Sequence, residues 1–319
     1  MKTFTVRNTN HAMYPVYSWL YAEGVLQESR AGKVLRAPCP VTITYTHPME
    51  RVNFCPVRDA NPFFHLLEAV WMLAGSNGII PLLRVLPSFA DFSDDGRTHN
   101  AAYGYRARVQ WGDQLQAAAQ ELTASPTSRQ VVVQLWDPAD LTKQTKDKAC
   151  NTQLMFSVDP LDGRLNMLVT NRSNDAIWGA VSGANIVHMA FFLEYVAWAA
   201  RIAPGKIVVV SNNLHAYIGN PKYAALMDKY ASPQIVEDYP GWASIDDSVD
   251  RNWSYVVTDD LISVPNDKSF WYHTVRWALL AHKWYRQGVV DNALHCASSI
   301  AAPDWRKACI EWLQRRADK

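Results

Sequence analysis

Several short segments of the chain alternate hydrophobic and polar positions with a period of two, the pattern typical of β-strands. The clearest is Val41–Tyr45, in which branched residues alternate. A polar turn at residues 159–163 joins two further segments of this kind, 153–158 and 164–170. The other predicted strands are 129–136 and 207–210.

Apolar residues recur at helical spacing elsewhere in the chain. Residues 13–26 predict a first helix, which a polar, glycine-containing loop follows at 28–33. Residues 63–75 predict a second helix, and this helix carries Glu68.

The longest apolar run covers residues 186–202 and ends before Pro204. His188 and Glu194 interrupt it, which favours a buried helix over a membrane span. The chain also lacks a basic segment followed by an apolar one at its start, so we expect no signal peptide and no membrane association.

After about residue 263 the chain becomes rich in Trp, Ala and basic residues. Three helices are predicted there, at 270–286, 289–300 and 303–316. We therefore expect a main domain over residues 1–262 and a C-terminal helical extension over residues 263–319.

Charge and cysteine usage narrow the function. The 319 residues include 31 Lys+Arg and 30 Asp+Glu, for a formal net charge of +1, which argues against direct nucleic-acid binding. A free nucleotide remains possible, because one phosphate needs only a few local arginines. The five cysteines are too scattered for a disulfide framework or a zinc site, so we expect no metal and a reduced, cytoplasmic setting (the host cytoplasm if the protein is viral).

Cys150 is the first candidate for chemistry. It lies between two strand patterns, where a loop can present a thiol to a cleft, and Lys146 and Lys148 are close in sequence. Nearby cations favour the thiolate, which is the nucleophilic form. A single cysteine is more often a small buried hydrophobe, however, and the two lysines could simply be solvated.

Further candidates follow Cys150 along the chain. Arg172 and Ser173 offer a guanidinium fork and a hydroxyl that suit a phosphate, although Arg172 could instead pair with Asp175 at the surface. Asn185 could cap the helix that follows it or read a base edge with its amide. His215 and Tyr217, two residues apart, project the same way if this segment is extended.

Taken together, the order and spacing of these residues resemble the thymidylate synthase family over about residues 15 to 220. The resemblance implies an α/β (α+β) fold with a large mixed β-sheet packed against helices, so that residues 1–262 would be a catalytic domain. It also implies a one-carbon transferase that adds a cysteine to C6 of a pyrimidine nucleoside monophosphate. The one-carbon unit would come from 5,10-methylenetetrahydrofolate as co-substrate.

The resemblance assigns a role to each matching residue. The implied catalytic residues are the nucleophile Cys150 and two groups that handle protons, Glu68 and Tyr103. The implied substrate-binding residues are Arg30, Arg129, Arg172 and Ser173 for the phosphate, Asn185 for the base, and His215 and Tyr217 for the sugar. The implied folate-binding residues are Trp71, Phe89, Phe92, Asp175 and Gly179. In this family Arg129 would reach the phosphate site of a partner subunit, which predicts a homodimer.

Departures from the family pattern bear on the product. Asn151 follows the nucleophile where synthases usually carry histidine, and Phe89 and Phe92 stand where two tryptophans are usual. Gln130 replaces a second arginine that would cross the dimer, and the short apolar C-terminal segment that closes over folate is missing. A smaller and more open wall should admit water to the methylene intermediate. We therefore expect a nucleotide hydroxymethylase, with methylation of the same carbon as the alternative.

The base and the activity leave alternatives open. An asparagine at the base-reading position slightly favours uracil over cytosine, but the loop before Asn185 is longer than in the family, so Asn174 or Asn213 could serve instead. A catalytically silent nucleotide-binding or assembly protein is a further alternative. The presence of Cys150, Glu68 and Tyr103 argues against it, because a pure binder needs no nucleophile.

Overall fold

The alternating segment Val41–Tyr45 is a strand with the predicted bounds, and Val41, Ile43 and Tyr45 are buried on one of its faces. The structure is a computed structural model that describes residues 1–30, 32–219, 226 and 238–317.

The described residues belong to two units, each with its own core. The first comprises Met1–Ala60, Gln116–Trp136 and the described part of Cys150–Glu237. The second comprises Asn61–Leu115, Asp137–Ala149 and the described part of Asp238–Lys319.

The strands all lie in the first unit. They are β1 (Lys2–Val6), β2 (Val25–Ser29), β3 (Gly32–Arg36), β4 (Val41–Tyr45), β5 (Val132–Gln134), β6 (Asn151–Val158), β7 (Leu165–Asn171), β8 (Asn174–Asp175), β9 (Pro204–Ser211) and β10 (Leu214–Tyr217). One sheet has the order β1-β4-β9-β7-β6-β5 and a smaller one the order β2-β3-β10-β8. In the larger sheet β1 runs parallel to β4 and β7 parallel to β9, while the other pairs are antiparallel. The predicted α/β fold with a mixed sheet is therefore confirmed.

Helices complete both units. The first six are α1 (Thr9–Glu23), α2 (Pro62–Leu73), α3 (Ile80–Leu83), α4 (Tyr103–Arg108), α5 (Gln114–Ala124) and α6 (Ala184–Ala200). The later ones are Ser248–Arg251, Trp253–Val257, Arg276–Arg286, Val290–Ser298 and Pro303–Ala317. Among the described residues, we find no helix with the length and apolar character needed to cross a bilayer.

Helix α6 is buried, as its apolar run predicts. It packs against β7 and β9, and Glu194, which interrupts the run, forms a buried ion pair with Arg51 at 2.6 Å. The Arg51 guanidinium also lies 3.9 Å from the centre of the Phe191 ring. The polar interruption is thus satisfied inside the core, where an unpaired carboxylate would be costly.

The predicted loop at 28–33 is wrong. Strands β2 and β3 pair antiparallel there and form a hairpin, with Arg30 in its turn. Strand β3 also pairs with β10. The backbone hydrogen bonds of the smaller sheet therefore stabilise strands here, although the local sequence is polar. The turn that carries Arg30 is therefore anchored on both sides.

The C-terminal helices pack inside the second unit. The ring of Phe63, on α2, lies 5.3 Å from His282 and 5.4 Å from Trp312. These three residues share one core, which joins α2 to the helices Arg276–Arg286 and Pro303–Ala317. The division into a catalytic domain at 1–262 and a helical extension at 263–319 stays a prediction.

Candidate active site

Four of the predicted substrate-binding residues line one cavity of the first unit. Arg30 comes from the β2–β3 turn, Ser173 from the segment between β7 and β8, and His215 and Tyr217 from β10. The cavity has a volume of ≈ 250 Å³, and Ser29 and Arg36 also line it. We call it the hairpin cavity.

His215 and Tyr217 alternate with buried residues along β10, so that both side chains face this cavity. Leu214 and Ala216 are fully buried on the opposite face, and the His215 and Tyr217 rings lie edge to face with centres 5.3 Å apart. Their predicted common orientation is therefore confirmed. Burial raises the pKa of the Tyr217 hydroxyl, with Asp175 adding to the effect and a hydrogen bond with Ser29 opposing it. The phenol accordingly stays protonated and can donate to a bound hydroxyl.

Cys150 is half-buried directly before β6, and Arg172 follows β7, the neighbouring strand. The backbone N–H of Arg172 donates to the Cys150 carbonyl at 3.0 Å, and its Nη2 lies 3.9 Å from the Cys150 sulfur. A cation at this distance favours the thiolate, the form that attacks carbon. The pairing of two strands thus puts a positive charge beside the predicted nucleophile.

The two lysines close to Cys150 in sequence have other contacts. Lys146 donates to the Ser93 carbonyl at 3.2 Å and Lys148 to the Leu141 carbonyl at 3.3 Å. These bonds lie within the second unit, whereas Cys150 belongs to the first.

Asp175 lies beside His215, because β8 pairs with β10 in that register. Its carboxylate accepts hydrogen bonds from the backbone N–H groups of Ile177 at 2.7 Å and Trp178 at 3.2 Å, and so caps the turn of helix at Ala176–Ala180. Burial raises the pKa of Asp175, against the opposing effect of His215 and these two N–H groups. The Asp175 carboxyl therefore caps the helical turn, and its burial raises its pKa.

Gly179 packs against two asparagine side chains. A Cβ atom at this position would lie 2.2 Å from Asn174 Oδ1 and 3.2 Å from Asn185 Nδ2, so a larger residue would clash. Asn185 is half-buried in the first turn of α6, whose N-cap is Gly183, so the predicted capping role of Asn185 is wrong. Its amide thus remains available to a ligand.

The phosphate-site arginine of the predicted dimer, Arg129, is exposed just before β5, and Gln130 beside it is exposed too. An exposed guanidinium at the end of a short strand is accessible to a second chain. Its role stays a prediction.

The second unit carries the other predicted residues, beginning with Glu68 and Trp71 on α2. Asn61 caps this helix by accepting from the Phe64 N–H at 3.1 Å. Trp71 donates its indole N–H to the Gly78 carbonyl at 2.8 Å, which fixes the ring. Glu68 is only 6% exposed, so its carboxyl is largely shielded from bulk solvent.

Phe89 and Phe92 differ in their surroundings. Phe89 packs edge to face with Trp71 at 6.2 Å and lies 4.2 Å from the His99 ring, between ring centres. Phe92 is 56% exposed. The two rings therefore offer one fixed and one accessible aromatic face.

Tyr103 is the first residue of α4, and Gly104 lets this helix touch α2. A Cβ atom at Gly104 would lie 1.9 Å from the Met72 carbonyl oxygen. Arg106, on the same helix, forms a buried ion pair with Asp140 at 2.7 Å. The position of Tyr103 is thus set by backbone contact and a buried charge pair.

The sequence analysis missed Arg36 as a site residue. It lines the hairpin cavity, and its alternation with Val34 along β3 was the available signal. The signal was hidden because the predicted loop ended at residue 33 and no strand was predicted at residues 34–36. Asn151 was noted for its identity alone; the structure shows it 1% exposed, with its Nδ2 unpaired among the described residues.

Comparison with known proteins identifies the family of the chain. The family model for thymidylate synthase matches residues 18–236, so the chain belongs to the thymidylate synthase family. It is a one-carbon transferase acting at C5 of a pyrimidine, and the family uses nucleotide and methylenetetrahydrofolate as substrates.

Phage enzymes are among the relatives. The chain is 39% identical over 340 residues to a deoxyuridylate hydroxymethyltransferase of Pseudomonas phage M6, covering 99% of this chain and 95% of that protein. It is 32% identical to a protein of the same name from Bacillus phage SP01, covering 68% of this chain and 59% of that one. A third such protein, from Delftia phage PhiW-14, is 28% identical over 54% of this chain and 50% of its own length. The predicted resemblance to the hydroxymethylase branch is confirmed.

Proposed function

We propose that this enzyme hydroxymethylates C5 of a pyrimidine nucleoside monophosphate, with dUMP slightly favoured over dCMP. The observation that carries the proposal is the 39% identity, over 99% of the chain, to a protein named deoxyuridylate hydroxymethyltransferase. The one-carbon donor is 5,10-methylenetetrahydrofolate, and water supplies the hydroxyl oxygen.

In the proposed reaction the Cys150 thiolate adds to C6 of the base, which makes C5 a carbon nucleophile. C5 then forms a bond to the one-carbon unit, loses its proton, and releases tetrahydrofolate. Water adds to the resulting exocyclic methylene, and elimination of the Cys150 thiolate restores the double bond. The 3.9 Å contact from Arg172 supports this role for Cys150, since the cation favours the attacking thiolate.

Glu68 and Tyr103 are the proposed proton-handling groups. The deep burial of Glu68 supports its role, because a carboxyl shielded from solvent can take and return a proton at the base. Tyr103 would assist removal of the C5 proton, as its family counterpart does.

Arg30, Arg172 and Ser173 are proposed to bind the phosphate, and His215 and Tyr217 the sugar 3′-hydroxyl. The hairpin cavity supports this assignment, because four of these five residues line it. Asn185 is proposed to read the base, and its half-buried amide beside Gly179 suits that role.

Asp175, Gly179, Trp71, Phe89 and Phe92 are proposed to contact folate. The exposed ring of Phe92 and the Trp71–Phe89 pair fit an aromatic ligand, since stacked or edge-to-face rings are the preferred arrangements. Two phenylalanines in place of tryptophans leave more room for water, which supports hydroxymethylation over methylation.

We further propose a homodimer in which Arg129 of the partner subunit completes the phosphate site. The test is subunit complementation between Arg129→Ala and Cys150→Ser, each nearly inactive alone. Mixed subunits should recover about a quarter of wild-type activity, since half of the dimers would carry one intact site of two. A fully active monomer by light scattering would overturn the dimer.

Methylation of the same nucleotide is the second candidate, and the match to the thymidylate synthase model favours it. Tritium release from C5 should be measured with dUMP, dCMP, UMP and CMP, with the nucleotide product identified by mass spectrometry. We expect a 5-hydroxymethyl product and tetrahydrofolate. A 5-methyl product with stoichiometric dihydrofolate would establish methylation instead, and absence of tritium release with every substrate would establish a silent binding protein.

Cys150→Ser is the matched control. It should abolish the covalent adduct with a 5-fluoropyrimidine nucleotide and methylenetetrahydrofolate while binding nucleotide nearly as wild type does. Near wild-type turnover in this variant would refute the mechanism.

A further inference from the structure

Arg36 lines the hairpin cavity and is not among the residues that the family resemblance assigns. Its Nε atom is buried, and no acceptor lies within hydrogen-bonding distance of it among the described residues. A buried guanidinium N–H without an acceptor is costly, because it has lost its water and gained no partner. A bound ligand that accepts a hydrogen bond from this Nε–H would remove that cost.

The register of the smaller sheet fixes where Arg36 lies. Arg36 and His215 are directly paired on β3 and β10, and Val34 is paired with Tyr217 two residues further along. Paired residues project on the same face of a sheet with Cβ atoms about 5 Å apart. Arg36 therefore stands beside the His215–Tyr217 pair, on the face that borders the cavity.

The protein itself offers Arg36 little charge compensation. Its Nη1 reaches Gln27 Oε1 at 3.4 Å, a long and exposed contact with a neutral group. The nearest acidic side chain of the cavity lining, Glu28, faces Lys33 at 4.0 Å. The lining thus has two guanidinium groups, Arg30 and Arg36, against one carboxylate.

A phosphate matches these groups better than a sugar hydroxyl does. Guanidinium binds phosphate through two parallel hydrogen bonds, and the Nε–H is one of the two donors used in such a fork. The chain also carries Gln130 where the family pattern has a second arginine for the phosphate. The missing charge would be restored if Arg36 faced the same group.

We infer that Arg36 binds the 5′-phosphate of the nucleotide together with Arg30 and Ser173, and replaces the charge absent at Gln130. This inference rests on the proposed nucleotide substrate. It makes Arg36 a substrate-binding residue contributed by the subunit's own hairpin rather than by a partner subunit.

The test compares ligands with and without the phosphate. Calorimetric titration of wild type and Arg36→Ala with dUMP and with deoxyuridine should show that the variant loses about 10- to 100-fold in dUMP affinity. Deoxyuridine affinity should stay the same. Arg36→Lys keeps the charge and should recover part of the dUMP affinity but not all, because lysine lacks the fork.

Lys33→Ala is the matched control, since Lys33 is an exposed cation on the same strand. It should bind dUMP as wild type does. Thermal unfolding of each variant, followed by circular dichroism, shows whether the smaller sheet is intact, and Arg36→Gln serves where Arg36→Ala does not fold.

Two results would overturn the inference while leaving the proposed function in place. One is an equal loss for dUMP and deoxyuridine, which would make Arg36 a sugar-side or structural residue. The other is unchanged dUMP affinity in Arg36→Ala. If wild type binds neither dUMP nor dCMP and releases no tritium, the proposed function fails and the inference with it.

Discussion

The Arg172 side chain and the Cys150 sulfur lie 3.9 Å apart, although 22 residues separate them in sequence. The same arginine donates its backbone N–H to the Cys150 carbonyl at 3.0 Å. Antiparallel pairing of β6 with β7 produces both contacts, because Cys150 and Arg172 flank the paired ends of these strands. One residue therefore holds the backbone beside the thiol and places a positive charge 3.9 Å from the sulfur.

Replacing Arg172 should impair two separable properties. In Arg172→Ala, nucleotide affinity should fall about 10- to 100-fold, since a charge-assisted phosphate contact is lost. Alkylation of Cys150 by iodoacetamide in the free enzyme should slow several-fold, since the thiolate loses its neighbouring cation. Peptide mass mapping distinguishes Cys150 from the half-buried Cys39 and Cys55.

Arg164→Ala is the control for this experiment, because Arg164 precedes β7 as Arg172 follows it, and its guanidinium donates to the Pro204 carbonyl at 3.2 Å. In this variant, Cys150 should be alkylated at the wild-type rate, and the nucleotide affinity should equal that of wild type. If Cys150 is alkylated at the wild-type rate in Arg172→Ala, Arg172 does not promote the thiolate, and its proposed role is limited to phosphate binding.

The capping role of Asp175 and its proposed role in folate binding can be separated by paired substitutions. Asp175→Asn keeps an oxygen that can accept from Ile177 and Trp178, whereas Asp175→Ala removes it. Urea unfolding should show a loss of about 1 kcal/mol for Asp175→Ala, as for other lost caps, and much less for Asp175→Asn. The KM for methylenetetrahydrofolate should rise in both. A normal KM in Asp175→Asn would mean that the carboxylate charge is not used for folate.

The sequence correctly predicted those elements whose buried faces follow from the pattern of apolar residues within the element itself. Val41–Tyr45 alternates and is an inner strand of the larger sheet, between β1 and β9, and the run at 186–202 contains the buried helix α6. The order of the whole set of candidate residues, from Arg30 to Tyr217, was enough to identify the family. In each case the information is carried by neighbouring residues or by their order.

The sequence did not reveal features that depend on contacts between distant segments. The hairpin around Arg30 is stabilised by β10, which lies far along the chain, so its polar residues predicted a loop. Arg36 was missed because no strand was predicted at residues 34–36, and its pairing with His215 also depends on β10. Strand pairing also places Arg172 3.9 Å from the Cys150 sulfur, a contact that their separation in sequence did not indicate.

Asn151 offers a test of how water enters the reaction. It is buried next to the nucleophile, it pairs with Asn171 across the sheet, and its Nδ2 is unpaired among the described residues. Such a donor can hold a buried water if the space is large enough. Asn151→His introduces the larger residue that synthases usually carry here and should shift the product of the proposed reaction from 5-hydroxymethyl towards 5-methyl nucleotide with dihydrofolate. Asn151→Ala removes the amide without adding bulk and should keep the hydroxymethyl product. Equal product ratios in both variants would exclude this position from the choice.

His282 sits in the aromatic core of the second unit, where a charge is poorly tolerated. Its ring lies 5.3 Å from Phe63 and 6.0 Å from Tyr285, between ring centres. Burial lowers the pKa of His282 from 6.5 to about 4, and Arg286 adds to the effect. The folded protein therefore keeps this imidazole neutral at a pH where the unfolded chain takes up a proton.

This difference predicts an acid-sensitive stability that a single substitution should reduce. Between pH 6.5 and about 4 the unfolded state binds more protons at this site, so the free energy of unfolding falls as the pH falls. From about pH 7 to about pH 5 the loss should be roughly 2 kcal/mol. His282→Phe keeps the aromatic packing without the titrating group, so urea unfolding of this variant should lose about 2 kcal/mol less over that interval. Replacing the exposed His295 with Gln should leave the pH dependence unchanged, and identical pH profiles for wild type and His282→Phe would place the acid sensitivity at other groups.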